Sequence, residues 1–234
     1  MTVAVQKLLP PDFKESLALI PKNTPITLFT RHSIREEPEN YNAHYKLPLT
    51  EQGRALATYW GGLQPFDEFR LFSSPVGRCV ETAEHMFRGN NPENSSNAIQ
   101  IQQESLLAEP GCFIADIKIM HTVGQIFVSE GPISFINRMI SGNFEEHLSV
   151  KEGVKKLLDY FIRHQHQQSL QQLNIHVSHD TILAAFVYSL LGKQNIEAND
   201  WPRMMEGVYL WFEDNHVHGV WRGKNFKTSI NDYL

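Results

Sequence analysis

The most constraining stretch is a short apolar, β-branched run, Pro25-Ile26-Thr27-Leu28-Phe29, which stops abruptly on Thr30-Arg31-His32-Ser33-Ile34-Arg35-Glu36. Such a run reads as a buried strand. A buried strand ending in Arg-His places both side chains at the lip of a sheet. In open α/β sheets, ligands bind outside the carboxyl ends of the strands. Arg31, His32 and Arg35 lie within five residues, a density of cations that calls for an anion between them. The planar fork of arginine matches phosphate, and a neutral imidazole is a nucleophile. The stretch therefore points to a phosphate site with a histidine nucleophile. Taken alone, it reads more readily as a pair of surface arginines flanking a structural histidine.

Two further runs end in the same manner. Phe69-Arg70-Leu71-Phe72-Ser73 stops at Ser74-Pro75, and a helix is expected from about Val76 to Phe87. Arg78 then falls in its first turn, where free N–H groups favour anions. Asn174-Ile175-His176-Val177-Ser178 ends in His179-Asp180 and leads into a helix over Thr181–Leu191, closed by Gly192. Parallel strands bring their carboxyl ends to one edge, so the three polar endings converge.

Between these runs the chain alternates. Asp12 to Ile20 is a short lead-in helix, and Glu36–Lys46 a polar loop containing Pro38. Thr50 caps a helix that runs to about Gly61, with Glu51 in its first turn. Ile99–Ile101 and Leu106-Leu107 read as another strand, leading to Glu109-Pro110-Gly111. Phe113 to Leu148 suggests two modest helices, and Val150–Ser169 a long one. Gly207–Phe212 and Val217–Trp221 form a hairpin around Asp214-Asn215. This order implies an α/β fold, a three-layer αβα sandwich with a mainly parallel sheet and a small helical cap. One domain over residues 1–234 is expected, the cap-like insertion lying at about 111–148.

Composition narrows the partners. With 41% hydrophobic residues, 20% charged and a formal charge of −5, the chain reads as an ordinary globular protein without the basic excess of a nucleic-acid binder. Cys79 and Cys112 make neither a disulfide framework nor a metal site. The sequence shows no basic start followed by a long apolar run and no apolar stretch of membrane-spanning length. A cytoplasmic protein with no membrane partner is the expectation. His216 and His218 share one strand face but lack a third ligand in view. Arg163-His164 sits in a polar helix with no strand before it, and Met204-Met205 reads as packing.

The three endings together resemble the histidine phosphatase superfamily, the phosphoglycerate mutase-like fold. Arg31-His32-Ser33-Ile34-Arg35 with Pro38 is similar to the family's Arg-His-Gly-x-Arg-x-Pro signature, with Ser33 in place of glycine and the proline one residue late. Ser73-Ser74-Pro75-x-x-Arg78 with Glu81-Thr82-Ala83 resembles its second arginine motif, and Ser178-His179-Asp180-Thr181-Ile182-Leu183 the His-Asp motif of the acid-phosphatase branch. The resemblance implies that His32 is the nucleophile forming a phosphohistidine. Arg31, Arg35, Arg78 and His179 would bind the phosphoryl oxygens, and Asp180 would protonate the leaving oxygen and later activate water. Glu109 resembles the acid of the mutase-like branch and is the alternative proton donor. Replacing glycine by Ser33 raises a question of turn geometry.

The leading expectation is a metal-independent phosphomonoester hydrolase, with no cofactor, acting on a phosphorylated small molecule or phosphopeptide. Phosphoryl transfer spreads charge over three oxygens, and fixed cations stabilise it. A phosphoglycerate mutase-type phosphotransferase is the rival enzyme, disfavoured because Gly111–Leu148 has few basic residues, chiefly Lys118 and Arg138. A non-catalytic phospho-ligand binding domain is the rival of another class, and it would need no proton donor.

Overall fold

The computed structural model describes residues 2–37, 46–94, 98–109, 111–113, 120–142 and 150–233. Pro38, Pro110, Lys118 and most of the expected 36–46 loop lie outside them. Two short helices, α1 (Thr2–Gln6) and α2 (Phe13–Ala18), precede strand β1 (Ile26–Arg31). Then follow α3 (Glu51–Gly61), β2 (Glu68–Ser73), α4 (Gly77–Asn90) and a short β3 (Ile101–Gln103). Helices α5 (Met120–Glu130), α6 (Pro132–Ile140) and α7 (Val150–Gln165) lead to β4 (Gln172–Ser178) and α8 (Asp180–Leu190). Strands β5 (Gly207–Glu213), β6 (His216–Trp221) and β7 (Lys224–Ser229) close the chain.

The seven strands form one sheet in the order β3-β2-β4-β1-β5-β6-β7. β3, β2, β4 and β1 run parallel, and β5, β6 and β7 continue antiparallel beyond β1. Register decides where the polar endings meet. Arg31 stands opposite Ser178, and Ser73 opposite Val177. The ladder runs one step further, with His32 N–H donating to the Ser178 carbonyl at 3.0 Å and Ser74 N–H to that of Val177 at 2.9 Å. All three strands therefore release their chains at the same height.

Alternation along the strands makes the layers. Ile26, Leu28, Leu71, Leu173, Ile175 and Val177 face α3 and α4, with α1 and α2 on the same side. Phe29 and Phe72 face α7 and α8, and α5 and α6 join that core through Val123, Phe135, Ile136 and Met139. Helix α8 is buried from Thr181 to Tyr188 on every side, the pattern of a helix held between two layers. The αβα expectation holds.

Local chemistry explains the boundaries nearest the site. Thr50 caps α3 by accepting from the Gly53 N–H at 2.9 Å. A Cβ at Gly53 would lie 2.1 Å from the Ile34 carbonyl oxygen, so only glycine lets α3 press against the turn that follows His32. The hairpin turn carries Asp214 at φ 48° and Asn215 at φ 59°, the left-handed pair of a type I′ turn.

Some expectations are revised. The second half of the expected strand near residue 101 is a 3-10 turn, Ser105–Leu107, whose Leu107 N–H closes onto the Glu104 carbonyl. β7 went unanticipated because it is a mostly polar strand at the sheet edge. Helix α7 ends at Gln165, four residues before the expected stop. No described helix is long and apolar enough to cross a membrane.

Candidate active site

His32 leaves β1 with its ring 2% exposed. Its Nδ1–H donates to the Ser33 carbonyl at 2.7 Å, and Arg78 Nε–H donates to Nε2 at 2.9 Å. A carbonyl only accepts and a guanidinium only donates, so these partners set the tautomer: proton on Nδ1, lone pair on Nε2. Burial, and then the neighbouring His179, Arg78 and Arg31, hold its pKa well below that of an ordinary histidine, against the opposing Ser33 bond. The ring is therefore a neutral imidazole with its nucleophilic nitrogen aimed at a guanidinium.

Arg78 is 1% exposed in the first turn of α4. Its Nη2 donates to His179 Nδ1 at 3.0 Å, which leaves His179 Nε2–H to donate to Ser74 Oγ at 2.9 Å. Ser74 Oγ also accepts from the Val76 N–H at 3.3 Å. The His32 and His179 rings stand edge to face, centroids 5.7 Å apart. Strand ends β1 and β4 and helix α4 thus interlock through side chains.

Both candidate acids adjoin this pair, in different states. Asp180 Oδ2 lies 2.6 Å from Arg31 Nη2 and accepts from Trp201 Nε1 at 3.3 Å, while Oδ1 accepts from the Thr181 N–H at 2.9 Å. Glu109, 15% exposed, places Oε2 3.8 Å from His179 Nδ1 and accepts the Thr181 hydroxyl on Oε1. Burial first, then the charge of Asp180, pushes the Glu109 carboxyl up to about 7, against the Thr181 bond and the pull of Arg78 and Arg31.

The other cations are only partly engaged. Arg31 donates from Nη1 to the Pro202 carbonyl at 2.5 Å, but its buried Nε has no partner among the described residues. Arg35 donates from Nη1 to the Glu36 carbonyl at 2.7 Å, and its buried Nε also finds no acceptor among the described residues. Burial, followed by Arg78, lowers the Arg35 pKa. Two buried N–H groups without acceptors in a cluster of guanidiniums make a cradle for an oxyanion.

Every site residue expected from sequence is described, and Arg31, His32, Arg35, Arg78, Glu109, His179 and Asp180 come together through these bonds and fields. Ser33 answers the turn question. Its φ is not left-handed, its N–H donates to Thr82 Oγ1 at 3.0 Å, and its hydroxyl donates to the Gly53 carbonyl at 2.8 Å. Glu81 ties α3 to α4, accepting from Arg54 Nε at 2.5 Å and from the Leu49 N–H at 2.9 Å. Cys79 is fully buried, and burial raises its thiol to about 12 despite Arg78. His216 and His218 join no group of metal-ligating residues among the described ones. His218 stacks on Trp211 instead. Sequence reading placed Thr181 in the His-Asp motif without a role, and missed Trp201 and Glu206, in a segment with no strand signature, and Arg222, in the turn after β6.

No family model and no curated protein sequence matches the chain. Solved structures do match. Over 90% of this chain and 100% of the other, the fold is similar to a phosphoserine phosphatase from Entamoeba histolytica solved with 3-phosphoglyceric acid, at 14% identity and a TM-score of 0.51. It is also similar to YhfR of Bacillus stearothermophilus over 86% of this chain and 97% of that one, at 16% identity and a TM-score of 0.50. Identities this low speak to architecture, and the chain has the phosphoglycerate mutase-like fold of the histidine phosphatases.

Proposed function

We propose that this chain hydrolyses phosphomonoesters through a phosphohistidine on His32. The observation that carries the reading is the neutral His32 ring, its Nε2 lone pair set among Arg31, Arg35 and Arg78, with the buried Nε–H of Arg31 and of Arg35 unpartnered among the described residues. In the first step Nε2 attacks phosphorus, taking the place of Arg78 Nε–H on its lone pair. The P–O bond to the alcohol breaks, and its electron pair stays on the leaving oxygen. In the second step water attacks phosphorus, the P–N bond breaks, and the imidazole returns to its neutral form. The arginines stabilise the charge spread over the phosphoryl oxygens in both steps.

The acid role falls to Glu109 rather than to Asp180. Asp180 has both oxygens committed as acceptors, one of them to Arg31 at 2.6 Å. Glu109, pushed up to about 7, holds a proton at neutral pH for part of the population and can release or recover it. It would protonate the leaving alkoxide and then take the proton of the attacking water. Arg138 of α6 is ion-paired to Glu130, which gives a mutase no obvious second anion site in the described part of the cap. The fold shared with a protein described as a phosphoserine phosphatase is consistent with hydrolysis.

The test is covalent trapping. Brief incubation with a ³²P-labelled phosphomonoester, followed by denaturation, is expected to leave acid-labile, base-stable label on His32. Label on Cys79 or a serine, or turnover without label on His32 in a burst experiment, overturns the reading. Activity is expected to survive exhaustive chelation, because the guanidiniums supply the positive charge.

A further inference from the structure

Arg222 lies outside the site, in the turn between β6 and β7, yet its guanidinium donates from all three of its nitrogens. Nε and Nη2 donate to the two carboxylate oxygens of Glu206, each at 2.9 Å. Nη1 donates to the Asn199 carbonyl at 2.8 Å, and Nη2 to those of Asp200 and Trp201 at 3.2 and 3.1 Å. Its carbon stacks over the Trp221 ring at 5.1 Å. Glu206 returns the bond by accepting from the Arg203 N–H at 2.9 Å. One planar fork thus clamps both ends of the segment 199–206.

The opposite side of that segment holds the reactive groups. The Pro202 carbonyl takes Arg31 Nη1 at 2.5 Å, and Trp201 Nε1 donates to Asp180 at 3.3 Å. The Glu206 carbonyl accepts the Arg31 N–H at 3.0 Å and Thr30 Oγ1 at 3.0 Å, while the Met205 N–H reaches the His32 carbonyl at 3.4 Å. Backbone and side chain of Arg31, and the backbone of His32, are therefore seated on a strap without regular secondary structure over most of its length.

Resting on the phosphohistidine reading, we propose that Arg222 is a positioning residue for the reaction. It touches no substrate and acts by holding the 199–206 strap against Arg31, Asp180 and His32. The backbone supports the assignment. Arg222 sits at φ 49°, followed by Gly223 at φ 67°, a turn in which a non-glycine residue is strained. Glycine would be easier there, and none of its atoms could replace the fork. Lysine keeps the charge opposite Glu206 but, as a point donor, cannot span a carboxylate and three carbonyls together.

The test compares Arg222→Gly and Arg222→Lys with the wild type. In Arg222→Gly the Nε–H cross-peak of Arg31, assigned by its loss in Arg31→Lys, is expected to shift or broaden in ¹H–¹⁵N spectra. For p-nitrophenyl phosphate, kcat is expected to fall about ten- to hundred-fold, the range for a small misplacement of reacting groups. Millimolar methylguanidinium, filling the vacated fork, is expected to return the cross-peak and part of kcat. Arg222→Lys keeps the charge and so decides the matter if the glycine variant does not fold: it is expected to lose kcat about ten-fold with cooperative unfolding retained. An Arg31 cross-peak superposable on the wild type, or full kcat in Arg222→Lys, overturns the proposal. Wild-type protein that turns over no phosphomonoester while the Arg31 cross-peak still responds to Arg222 defeats the functional reading alone.

Discussion

A pair of histidines and a single one on the same sheet behave in opposite ways. His32 and His179, at the ends of β1 and β4, have all four ring nitrogens in hydrogen bonds. His176, three residues before His179 on β4, is fully buried, and neither of its nitrogens has a partner among the described residues. Phe72 lies flat against it at 4.5 Å, and Phe161, Tyr160 and His164 surround its edges. Burial lowers the pKa of His176 and of His32 alike. Burial therefore makes a histidine neutral, but only hydrogen-bond partners aim its lone pair. What distinguishes the proposed nucleophile from core packing here is the Ser33 carbonyl on one nitrogen and a guanidinium on the other.

The largest expected effect breaks the first member of the comparison. His32→Ala is expected to lower kcat at least ~10⁴-fold, as nucleophile removal does elsewhere, with the melting transition retained. Steady-state hydrolysis of an aryl phosphate reads it directly. Activity within ten-fold of wild type would put His32 in the same structural class as His176.

Next comes the acid. Glu109→Gln is expected to slow alkyl phosphates by ~10²–10⁴, the usual worth of general acid catalysis. Aryl phosphates, whose leaving groups depart unaided, are expected to lose far less in the first step. In the wild type, kcat for alkyl phosphates should decline as pH rises through about 7, where Glu109 gives up its proton, and Glu109→Gln should remove that limb. Asp180→Asn is expected to act through Arg31, weakening phosphate binding without this dependence on the leaving group. The reverse pattern would return the acid role to Asp180.

The strand endings were legible in the sequence because each couples a short apolar run to an abrupt polar stop. Parallel register then does the assembling, setting Arg31 opposite Ser178. The Thr50 cap was legible for the same local reason. Three things were not. The choice between Asp180 and Glu109 turns on whether Arg31 points at Asp180, which rests on Pro202 and Trp201, about twenty residues further along the chain. Arg222 belongs to a polar edge hairpin, and its role appears only once the strap is folded under it. His176 reads in sequence as one more residue of a buried strand. Its difference from His179 is a matter of which neighbours α7 and β2 bring.

The smallest effect sharpens the second member of the comparison. His176→Phe replaces an imidazole with two unpartnered nitrogens by a ring that matches its aromatic surroundings, and His176 touches no site residue through a hydrogen bond. Hydrolysis is expected to stay within about two-fold. Stability is expected to rise by about 1–2 kcal/mol at neutral pH, since a buried polar group without a partner costs about that much. The pH dependence gives a cleaner reading. The folded pKa of His176 lies well below its unfolded value near 6.5, so in the window below that pH the unfolded chain binds a proton that the folded chain refuses. Wild-type stability then falls with decreasing pH by about 1.4 kcal/mol per unit on account of this residue. His32 adds a term of the same sign and Glu109 one of opposite sign over part of the window, but both are common to the two proteins and cancel in the difference. Urea unfolding of wild type and His176→Phe between pH 7 and 5 should therefore give stability curves that diverge toward acid at that slope. Parallel curves would mean that His176 finds a partner for its proton after all, and that the distinction between the aimed and the merely buried histidine does not hold.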